Sequence, residues 1–231
     1  MKTKPAGVCT SAIAAGLRAA APRLRKDATR NRELILTAAR DLIAVEGANV
    51  PLDEIAKRAG VGNATLYRNF PDRAALLRQV ALRVLSRVRE RAQQALEDEG
   101  DPFEAIRDYV LAATDERIGA LCALVTEHLE LRGDDELFAI KVELEQVVEQ
   151  LLNRAMVAGA VRPDIGPGDL FTALARLTRP LPGLDSLEEG VFVQRHLHLF
   201  LDGLRAPAPS VLPGRPVTLE DLRRHMPDPP T

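Results

Sequence analysis

The sequence has no tryptophan, and aromatic residues make up only 3% of its 231 residues. Leucine, alanine and valine must therefore fill the core, for which a hydrophobic fraction of 46% is ample. The chain also lacks the alternating Val, Ile and Thr runs of β-strands and any apolar run of transmembrane length. These absences predict an all-α protein that does not cross a membrane.

Cysteine is also scarce. Cys9 and Cys122 provide neither a disulfide framework nor the spacing of a metal site, which predicts a reduced, cytoplasmic protein. Cys122 is predicted to be a small core residue, because the alternative, a redox switch, lacks a basic neighbour in sequence that would lower its thiol pKa. Glu127, His128 and Glu130 resemble metal ligands, but the polar face of any helix needs such residues.

The sequence contains no motif of an enzyme: it has no nucleophile elbow, no metal-ligand spacing and no phosphate-binding loop. His196 and His198 lie two residues apart, so on a helix they face opposite ways and do not share a metal ion. The sequence therefore predicts a protein that is not an enzyme and that needs no cofactor or metal.

Charge is distributed unevenly along the chain, although the formal net charge is only -2. Residues 1–73 contain 13 Lys+Arg and 7 Asp+Glu, a net +6, and the remaining residues contain 18 and 26, a net -8. A basic first third before an acidic remainder favours a nucleic-acid-binding head on a body that does not bind nucleic acid.

Residues 51–70, PLDEIAKRAGVGNATLYRNF, have the pattern of a helix, a tight turn and a second short helix. Apolar residues recur at helical spacing as far as Ala59, and Gly60 is suited to end the helix in a left-handed conformation. Leu66 and Phe70 provide two apolar anchors for the second helix and leave its polar side chains free. This pattern is typical of a helix-turn-helix that enters the DNA major groove; the alternative is an ordinary helical hairpin.

Turn residues divide the chain into a series of predicted helices. These are expected near 31–45, from 51 to the glycine of the turn, at 63–69, from the Pro71-Asp72 stop to about 97, and near 102–118, 120–131, 135–159, 167–178 and 187–204, with a short candidate at 218–225. The predicted organisation is a flexible basic arm (1–27), a DNA-binding domain (28–88), an effector and dimerisation domain (89–205) and a proline-rich tail (206–231). The basic run that includes Arg30 is predicted to contact phosphate.

The segment ILTAARDLIAVEGANVPLDEIAKRAGVGNATLYRNFPDRAALLRQV resembles the DNA-binding head of the TetR (tetracycline-repressor-like) family of bacterial regulators. The resemblance rests on IA-x-x-AGV followed by TLY-x-x-F and a basic residue three positions after Phe70. Beyond the head, the chain agrees with the family in length and helical layout only. The resemblance implies a three-helix helix-turn-helix head that a long fourth helix joins to a helical effector and dimerisation domain.

The resemblance also implies which residues touch DNA. Thr65, Tyr67 and Asn69 match recognition-helix positions that typically touch DNA, and Arg73 stands where a Lys usually grips phosphate. Arg68 has the reach for a guanine edge or a phosphate. The full predicted DNA-binding set is Arg30, Gly62, Asn63, Thr65, Tyr67, Arg68, Asn69 and Arg73.

Three residues depart from the usual pattern of the family. Val50 replaces a capping Thr or Ser, so the first helix of the motif is expected to lack a side-chain cap. Gly62 replaces a frequent Ser and is a weaker cap for the recognition helix. Asn69 replaces a common His or Tyr that contacts phosphate. None of the three is expected to break the fold.

The body is predicted to hold a pocket for a small apolar effector between its helices. The predicted lining residues are Phe103, Tyr109, Cys122, Phe138 and Met156, each of which is equally explicable as core. The resemblance implies a DNA-binding regulator, expected to be a repressor that the effector releases from its operator. A regulator without a small-molecule effector and an activator are the alternatives.

The last two long helices, 167–178 and 187–204, are implied by the resemblance to form a four-helix bundle in a homodimer. The predicted interface residues are Phe171, Leu174, Leu197, Leu201 and Leu204. The alternative is that this apolar face packs within its own chain. A homodimer suits a pseudo-palindromic double-stranded operator whose half-sites lie about one helical turn, roughly 34–36 Å, apart.

Overall fold

The computed structural model describes the backbone over residues 11–128, 134–179 and 186–224, and the side chains within these ranges except those of 11–26, 123, 125–128 and 186–189. Ten α-helices account for the regular secondary structure of this described part, beside one isolated antiparallel bridge between Val161 and Arg205. The all-α class predicted from the sequence is confirmed.

The head is formed by α1 (Ser11–Glu46), α2 (Leu52–Ala59), α3 (Asn63–Asn69) and the first turns of α4 (Arg73–Glu97). Their apolar stripes face one another and exclude water, as the helical periodicity of the sequence requires. The core of the head includes Ile35, Ala39, Ile55, Ala59, Leu66, Phe70 and Leu76. Because α1 contacts α2, α3 and α4, it supports the whole helix-turn-helix.

The first helix is longer than predicted. It begins at Ser11 and not near residue 31, so residues 11–27 of the predicted flexible arm continue α1 as a helix; residues 1–10 lie outside the described part. The segment SAIAAGLRAAA is rich in alanine and leucine, which have the highest intrinsic helix propensity. The basic residues of this segment suggested an arm, whereas its alanine and leucine content favours a helix.

The body contains α5 (Pro102–Asp115), α6 (Ile118–His128), α7 (Asp135–Val157), α8 (Pro167–Leu177) and α9 (Ser186–Leu204). These helices pack side by side, with α5 in contact with α6, α7 and α9, and with α8 in contact with α6, α7 and α9. Residues 133 and 180–183, which lie between predicted helices, are outside the described residues.

Head and body share α4. This helix contacts α1 in the head and α5, α6 and α7 in the body, and Val80, Val84 and Val88 are buried along it. The predicted domain boundary at residue 88 therefore falls inside one continuous helix. Head and body are therefore joined by one continuous helix and not by a flexible linker.

The beginnings of the helices follow the cap chemistry of the sequence. Asp72 caps α4 and Asp101 caps α5, each accepting a hydrogen bond from a backbone N–H at 2.7 Å. By contrast, α2 and α3 begin after Pro51 and Gly62 without a side-chain cap. This confirms the expectation drawn from Val50 and Gly62.

The described part of the proline-rich tail is docked onto the body and contains the short helix α10 (Leu219–Arg224), close to the predicted 218–225. The Gly168 N–H donates to the Val217 carbonyl at 2.9 Å, and the Asp169 carboxylate accepts from the Val217 N–H at 3.0 Å. A Cβ at Gly168 would lie 2.6 Å from the Val217 carbonyl oxygen. The tail therefore approaches the start of α8 this closely only because the residue there is glycine.

Candidate nucleic-acid interface

The turn between α2 and α3 has helix-turn-helix geometry. Gly60 has a φ of 68°, the left-handed conformation that ends α2, and the Val61 N–H donates to the Ala56 carbonyl at 3.0 Å. Leu66 and Phe70, each 1% exposed, hold α3 and its C-terminal end against the head. The prediction of two apolar anchors is confirmed, because the other residues of α3 are exposed or half-buried.

Two large side chains lie on the open side of α3. Tyr67 is 49% exposed, and Arg68 is also exposed. An exposed ring beside a guanidinium suits contact with a sugar-phosphate backbone and with base edges. At the start of α3, exposed Asn63 donates to the Asp53 carboxylate of α2 at 2.9 Å, which ties the two helices of the motif together.

Hydrogen bonds order the polar side chains of α3. Arg68 donates from Nη2 to Thr65 Oγ1 at 2.9 Å and from Nε to the Ala64 carbonyl at 3.1 Å. The half-buried Asn69 amide donates to the Thr65 carbonyl at 2.8 Å. The Thr65 hydroxyl accepts from Arg68 and keeps its own hydrogen to donate elsewhere. Side chains ordered in this way lose less entropy when they bind a ligand.

Arg73, which was predicted to grip phosphate, is half-buried and bonded inside the head. Its Nη1 donates to the carbonyls of Ala48 at 2.8 Å and Val50 at 2.6 Å, in the loop that joins α1 to α2. The guanidinium therefore holds this loop against the start of α4. No local pattern in the sequence indicates this role, because the acceptors are backbone atoms 25 and 23 residues away.

Arg32 holds the recognition helix α3 in place through contacts with its C-terminal end and with α4. No sequence pattern indicated this role. Its guanidinium donates to Gln79 Oε1 at 2.7 Å and to the Asn69 carbonyl at 3.4 Å, and its Cζ lies 4.6 Å from the centre of the Phe70 ring. It thus connects α1 with α3 and α4. Arg30, by contrast, is exposed on α1, as its predicted phosphate contact requires.

The five residues predicted to line an effector pocket differ in burial. Phe103 and Tyr109 are buried, and Cys122 and Met156 are half-buried. Phe138 is 45% exposed on α7, so it does not line an enclosed space in the single chain. Burial raises the pKa of the Cys122 thiol to about 11 and raises the pKa of the Tyr109 phenol. Both groups are therefore protonated at neutral pH, which opposes a thiolate redox switch at Cys122.

The residues predicted to form the dimer interface lie mainly inside the chain. Leu174, Leu197, Leu201 and Leu204 are all buried, and Phe171 is half-buried. Because α9 packs against α5 and α8, these four leucines belong to the core of one protomer. This burial favours the alternative of an intramolecular core for the four leucines, although Leu204 also borders the groove beside α9.

A different set of apolar side chains on α9 is exposed. Val191, Phe192 and Leu199 are 68%, 43% and 60% exposed. Beside them, a groove of about 560 Å³ runs between α8, α9 and the tail. Its apolar lining includes Ile165, Ala173, Leu177, Phe200, Leu204, Leu212 and Val217. Exposed apolar side chains next to an apolar groove are typical of a protein-binding surface.

The described residues contain no group of three or more His, Cys, Asp or Glu side chains placed to hold a metal ion. The side chains of Glu127, His128 and Glu130 lie outside that part of the chain. His196 and His198 are both exposed on α9. Among the described helices, none combines the length and the apolar character that crossing a membrane requires.

Both parts of the chain match known families. Residues 35–80 match the model of bacterial regulatory proteins of the tetR family, and residues 101–206 match that of the C-terminal domain of SbtR-like transcriptional regulators. The first match contains the helix-turn-helix, and the second begins at the cap of α5 and ends just after α9.

Individual relatives agree with these matches. The transcriptional repressor LfrR of Mycolicibacterium smegmatis is 31% identical over 139 residues, which cover 60% of this chain and 70% of LfrR. A TetR regulatory protein from Mycobacterium vanbaalenii has a solved structure with 33% identity and a TM-score of 0.54, covering 79% of this chain and 99% of that one. The regulator SCO0520 from Streptomyces coelicolor has 32% identity and a TM-score of 0.58, covering 77% and 99%. LfrR has also been solved in complex with proflavine, with 25% identity and a TM-score of 0.54 over 74% and 95% of the two chains.

The head geometry and these similarities define a DNA-binding transcriptional regulator of the helix-turn-helix class. The chain belongs to the TetR family of bacterial regulators. The family resemblance predicted from the recognition-helix segment is confirmed.

Proposed function

We propose that this chain is a homodimeric repressor that binds a pseudo-palindromic operator and is released from it by a small apolar effector. The recognition helix α3 carries the proposal: Leu66 and Phe70 anchor it, while Tyr67 and Arg68 remain exposed. We propose no catalytic role for the protein. We expect it in the bacterial cytoplasm, because operator DNA is found there.

On the DNA side, Arg68 uses Nε and one hydrogen of Nη2 for bonds within α3 and keeps Nη1 and the second Nη2 hydrogen for a guanine edge or a phosphate, and Tyr67 lays its ring along the backbone. Thr65 donates its hydroxyl hydrogen, and Arg30 of α1 approaches a flanking phosphate. Arg73 uses only Nη1 for the two loop carbonyls, so its other nitrogens are available for phosphate. Holding the loop and contacting phosphate are therefore compatible roles.

The exposed surface of α9 supports a dimer. In a two-fold arrangement the same patch meets itself, so Phe192 and Leu199 of one protomer would enter the groove of the other and the reverse. The groove of about 560 Å³ between α8 and α9 offers the space that such side chains need. Two heads related by this axis suit two half-sites of one operator.

Release by an effector is supported by a relative. LfrR, which is named a repressor, has been solved with proflavine bound. In this chain, an effector site between α5, α6 and α7 would use Tyr109, Cys122 and Met156 with Phe103 nearby. An effector lowers operator affinity only if it binds better to the arrangement of heads that does not fit DNA. α4 is the element that links the two sites.

The test is an operator isolated by selection from genomic DNA, followed by fluorescence-anisotropy titrations of the full chain at several salt concentrations. Tyr67→Ala and Arg68→Ala are each expected to weaken binding by about 1–3 kcal/mol, and loss of a phosphate contact at Arg68 lowers the salt slope by about 1. Arg91→Ala is the matched control, since Arg91 is exposed on α4 and its described contact is with Gln94 of the same helix. Unchanged binding in both α3 variants would exclude α3 as the DNA-reading element.

A further inference from the structure

A cavity of about 310 Å³ lies where the head meets the body. The head contributes Ala44 of α1, and the body contributes residues of α5, α6 and α9 and of the connections that follow α5 and α8. Its lining consists of Ala44, Thr114, Asp115, Arg117, Ala120, Thr178, Gly190, Val193 and Gln194. None of the five residues predicted to line an effector pocket belongs to it. Its volume lies at the lower end of the range for small-molecule sites, about 300–1,000 Å³.

Small residues create this space. Ala44 and Ala120 are buried with side chains of a single methyl group, and a Cβ added at Gly190 would meet no atom within 4 Å. One wall of the cavity is tightly packed, because a Cβ at Gly119 would lie 2.2 Å from Thr178 Oγ1. The start of α6 is therefore pressed against the end of α8, and the cavity is not a product of loose packing on that side.

Three polar side chains at the cavity have no described partner. In the part of the chain that the structure describes, Asp115, Arg117 and Gln194 make neither a side-chain hydrogen bond nor an ion pair with another described residue. Glu116, which lies between the first two in sequence, behaves differently and binds Arg40 at 2.8 Å. All three side chains are exposed to solvent, and they give the cavity one carboxylate, one guanidinium and one amide with which a ligand can form hydrogen bonds.

Arg117 also has an uncommon backbone conformation. Its φ is 61°, and it is the only non-glycine residue with a positive φ in the described part of the chain. Residues other than Gly, Asn and Asp rarely adopt this conformation, which costs free energy. Arg117 directly follows the C-cap of α5, a position where left-handed residues commonly end helices, and its N–H donates to the Thr114 carbonyl at 2.9 Å.

We propose that this cavity binds a small zwitterion with an apolar body, such as an amino acid with a hydrophobic side chain. The carboxylate of the ligand pairs with the Arg117 guanidinium in a bidentate hydrogen bond, and its ammonium group pairs with Asp115. The apolar body lies against Ala44, Ala120 and Val193. Because the lining has one positive and one negative side chain, a zwitterionic ligand can pair with both, whereas a ligand with a single charge can pair with only one.

Occupation of this site would connect the two parts of the molecule. The ligand would touch Ala44 in the head and Ala120 and Val193 in the body at the same time. Arg117 follows Glu116 directly, and the Glu116 carboxylate holds α1 and α4 through Arg40 and Arg87. A ligand there therefore favours one arrangement of head and body, independently of any effector bound between α5, α6 and α7.

Three probes with the same phenyl-ethyl body test the proposal: L-phenylalanine, 3-phenylpropionate and phenethylamine. Isothermal titration calorimetry of the full chain is expected to show the tightest binding for L-phenylalanine. Each probe with one charged group should bind about tenfold more weakly or worse, as loss of a charged hydrogen bond predicts. Absence of L-phenylalanine binding, or equal binding of the three probes, would overturn the proposal.

Two variants locate the binding without unfolding the protein. Arg117→Gly removes the guanidinium and relieves the positive φ, and Gly190→Leu adds a large side chain at an exposed lining position where a Cβ meets no atom within 4 Å. Both are expected to weaken L-phenylalanine binding at least about tenfold, while Arg91→Ala leaves it unchanged. L-phenylalanine affinity that survives both substitutions would place the binding elsewhere and overturn the proposal.

Discussion

The Glu116 carboxylate accepts a hydrogen bond from the Arg40 guanidinium at 2.8 Å, which joins the end of α5 in the body to α1 in the head. The same carboxylate accepts from Arg87 of α4 at 3.1 Å. Its side chain is only 13% exposed, so solvent screens these ion pairs less than it screens surface pairs. Glu116 therefore holds α1, which contacts the recognition helix α3, and α4, which follows α3 in the chain.

Glu116→Gln is expected to loosen the attachment of head to body, because a neutral amide cannot pair with both guanidinium groups. The free energy of unfolding should fall by about 1–2 kcal/mol, measured by urea denaturation, with faster amide hydrogen exchange in α1. Glu90→Gln, at an exposed position of α4, is the control and should change neither. Equal exchange of α1 in wild type and Glu116→Gln would show that this link does not hold the head.

Leu199→Glu and Leu197→Glu should have opposite consequences, although they lie two residues apart on α9. Leu199 is 60% exposed and Leu197 is 0% exposed. Leu199→Glu is expected to leave the helical content intact and to produce monomers, by circular dichroism and light scattering. Leu197→Glu buries a charge in the core, costs several kcal/mol and should unfold the body. A folded dimer of Leu199→Glu would move the interface to another surface.

Gly168→Ala tests whether the tail is docked on α8. In the full chain, the new Cβ would meet the Val217 carbonyl oxygen at 2.6 Å, and we expect a loss of about 1–3 kcal/mol in the free energy of unfolding. In a chain truncated after Arg205 that oxygen is absent. There the same substitution should stabilise α8 by up to about 1 kcal/mol, because alanine has the higher helix propensity. Equal effects in the two chains would contradict the docked tail.

Asp134 predicts a specific pH dependence of stability. Its carboxylate accepts hydrogen bonds from Arg78 and from the Leu137 N–H that begins α7, and the bond from Arg78 holds the pKa of Asp134 below its usual value. A lowered native pKa stabilises the fold above the unfolded pKa of about 3.9, and this stabilisation is lost as pH falls through the native pKa. The melting temperature of Asp134→Asn should therefore lie below that of wild type at pH 7, and the difference should shrink below about pH 4.

A control separates this effect from general acid unfolding. Asp108→Asn changes an exposed carboxylate on α5 and should leave the melting temperature close to that of wild type at both pH values. A difference between wild type and Asp134→Asn that is constant from pH 7 to pH 3 would show that the charge of Asp134 is not what stabilises α7.

The helix-turn-helix was predictable because its signals are local. Gly60 ends α2 with a positive φ, which glycine adopts easily. Asp72 caps α4 by accepting a hydrogen bond from the backbone N–H three residues further along the chain. Leu66 and Phe70 anchor α3 because a spacing of four residues puts them on one face. Each of these relations lies within a few residues of the chain, where sequence and geometry are directly coupled.

The partners of the arginines were not predictable in this way. Arg73 binds the carbonyls of Ala48 and Val50, and Arg32 binds Gln79 and packs over Phe70. These contacts join residues that are far apart in sequence and depend on how α1, α3 and α4 are packed. From the sequence alone, a basic residue next to a DNA-binding motif is predicted to contact phosphate. Only the packing of the helices shows that such a residue also holds the head together.

For α9, the sequence by itself determined that the helix is apolar on more than one side, since Leu197 and Leu201 repeat at four residues and Phe192 and Leu199 at seven. Only the tertiary structure decided which side is core, because burial depends on the position of α5 and α8 and not on periodicity. The same holds for the cavity between head and body, whose walls come from four helices and the connections that follow α5 and α8. Local patterns determine which helices form and where they end; the choice among their apolar faces is made when the helices pack, since that is when water is excluded.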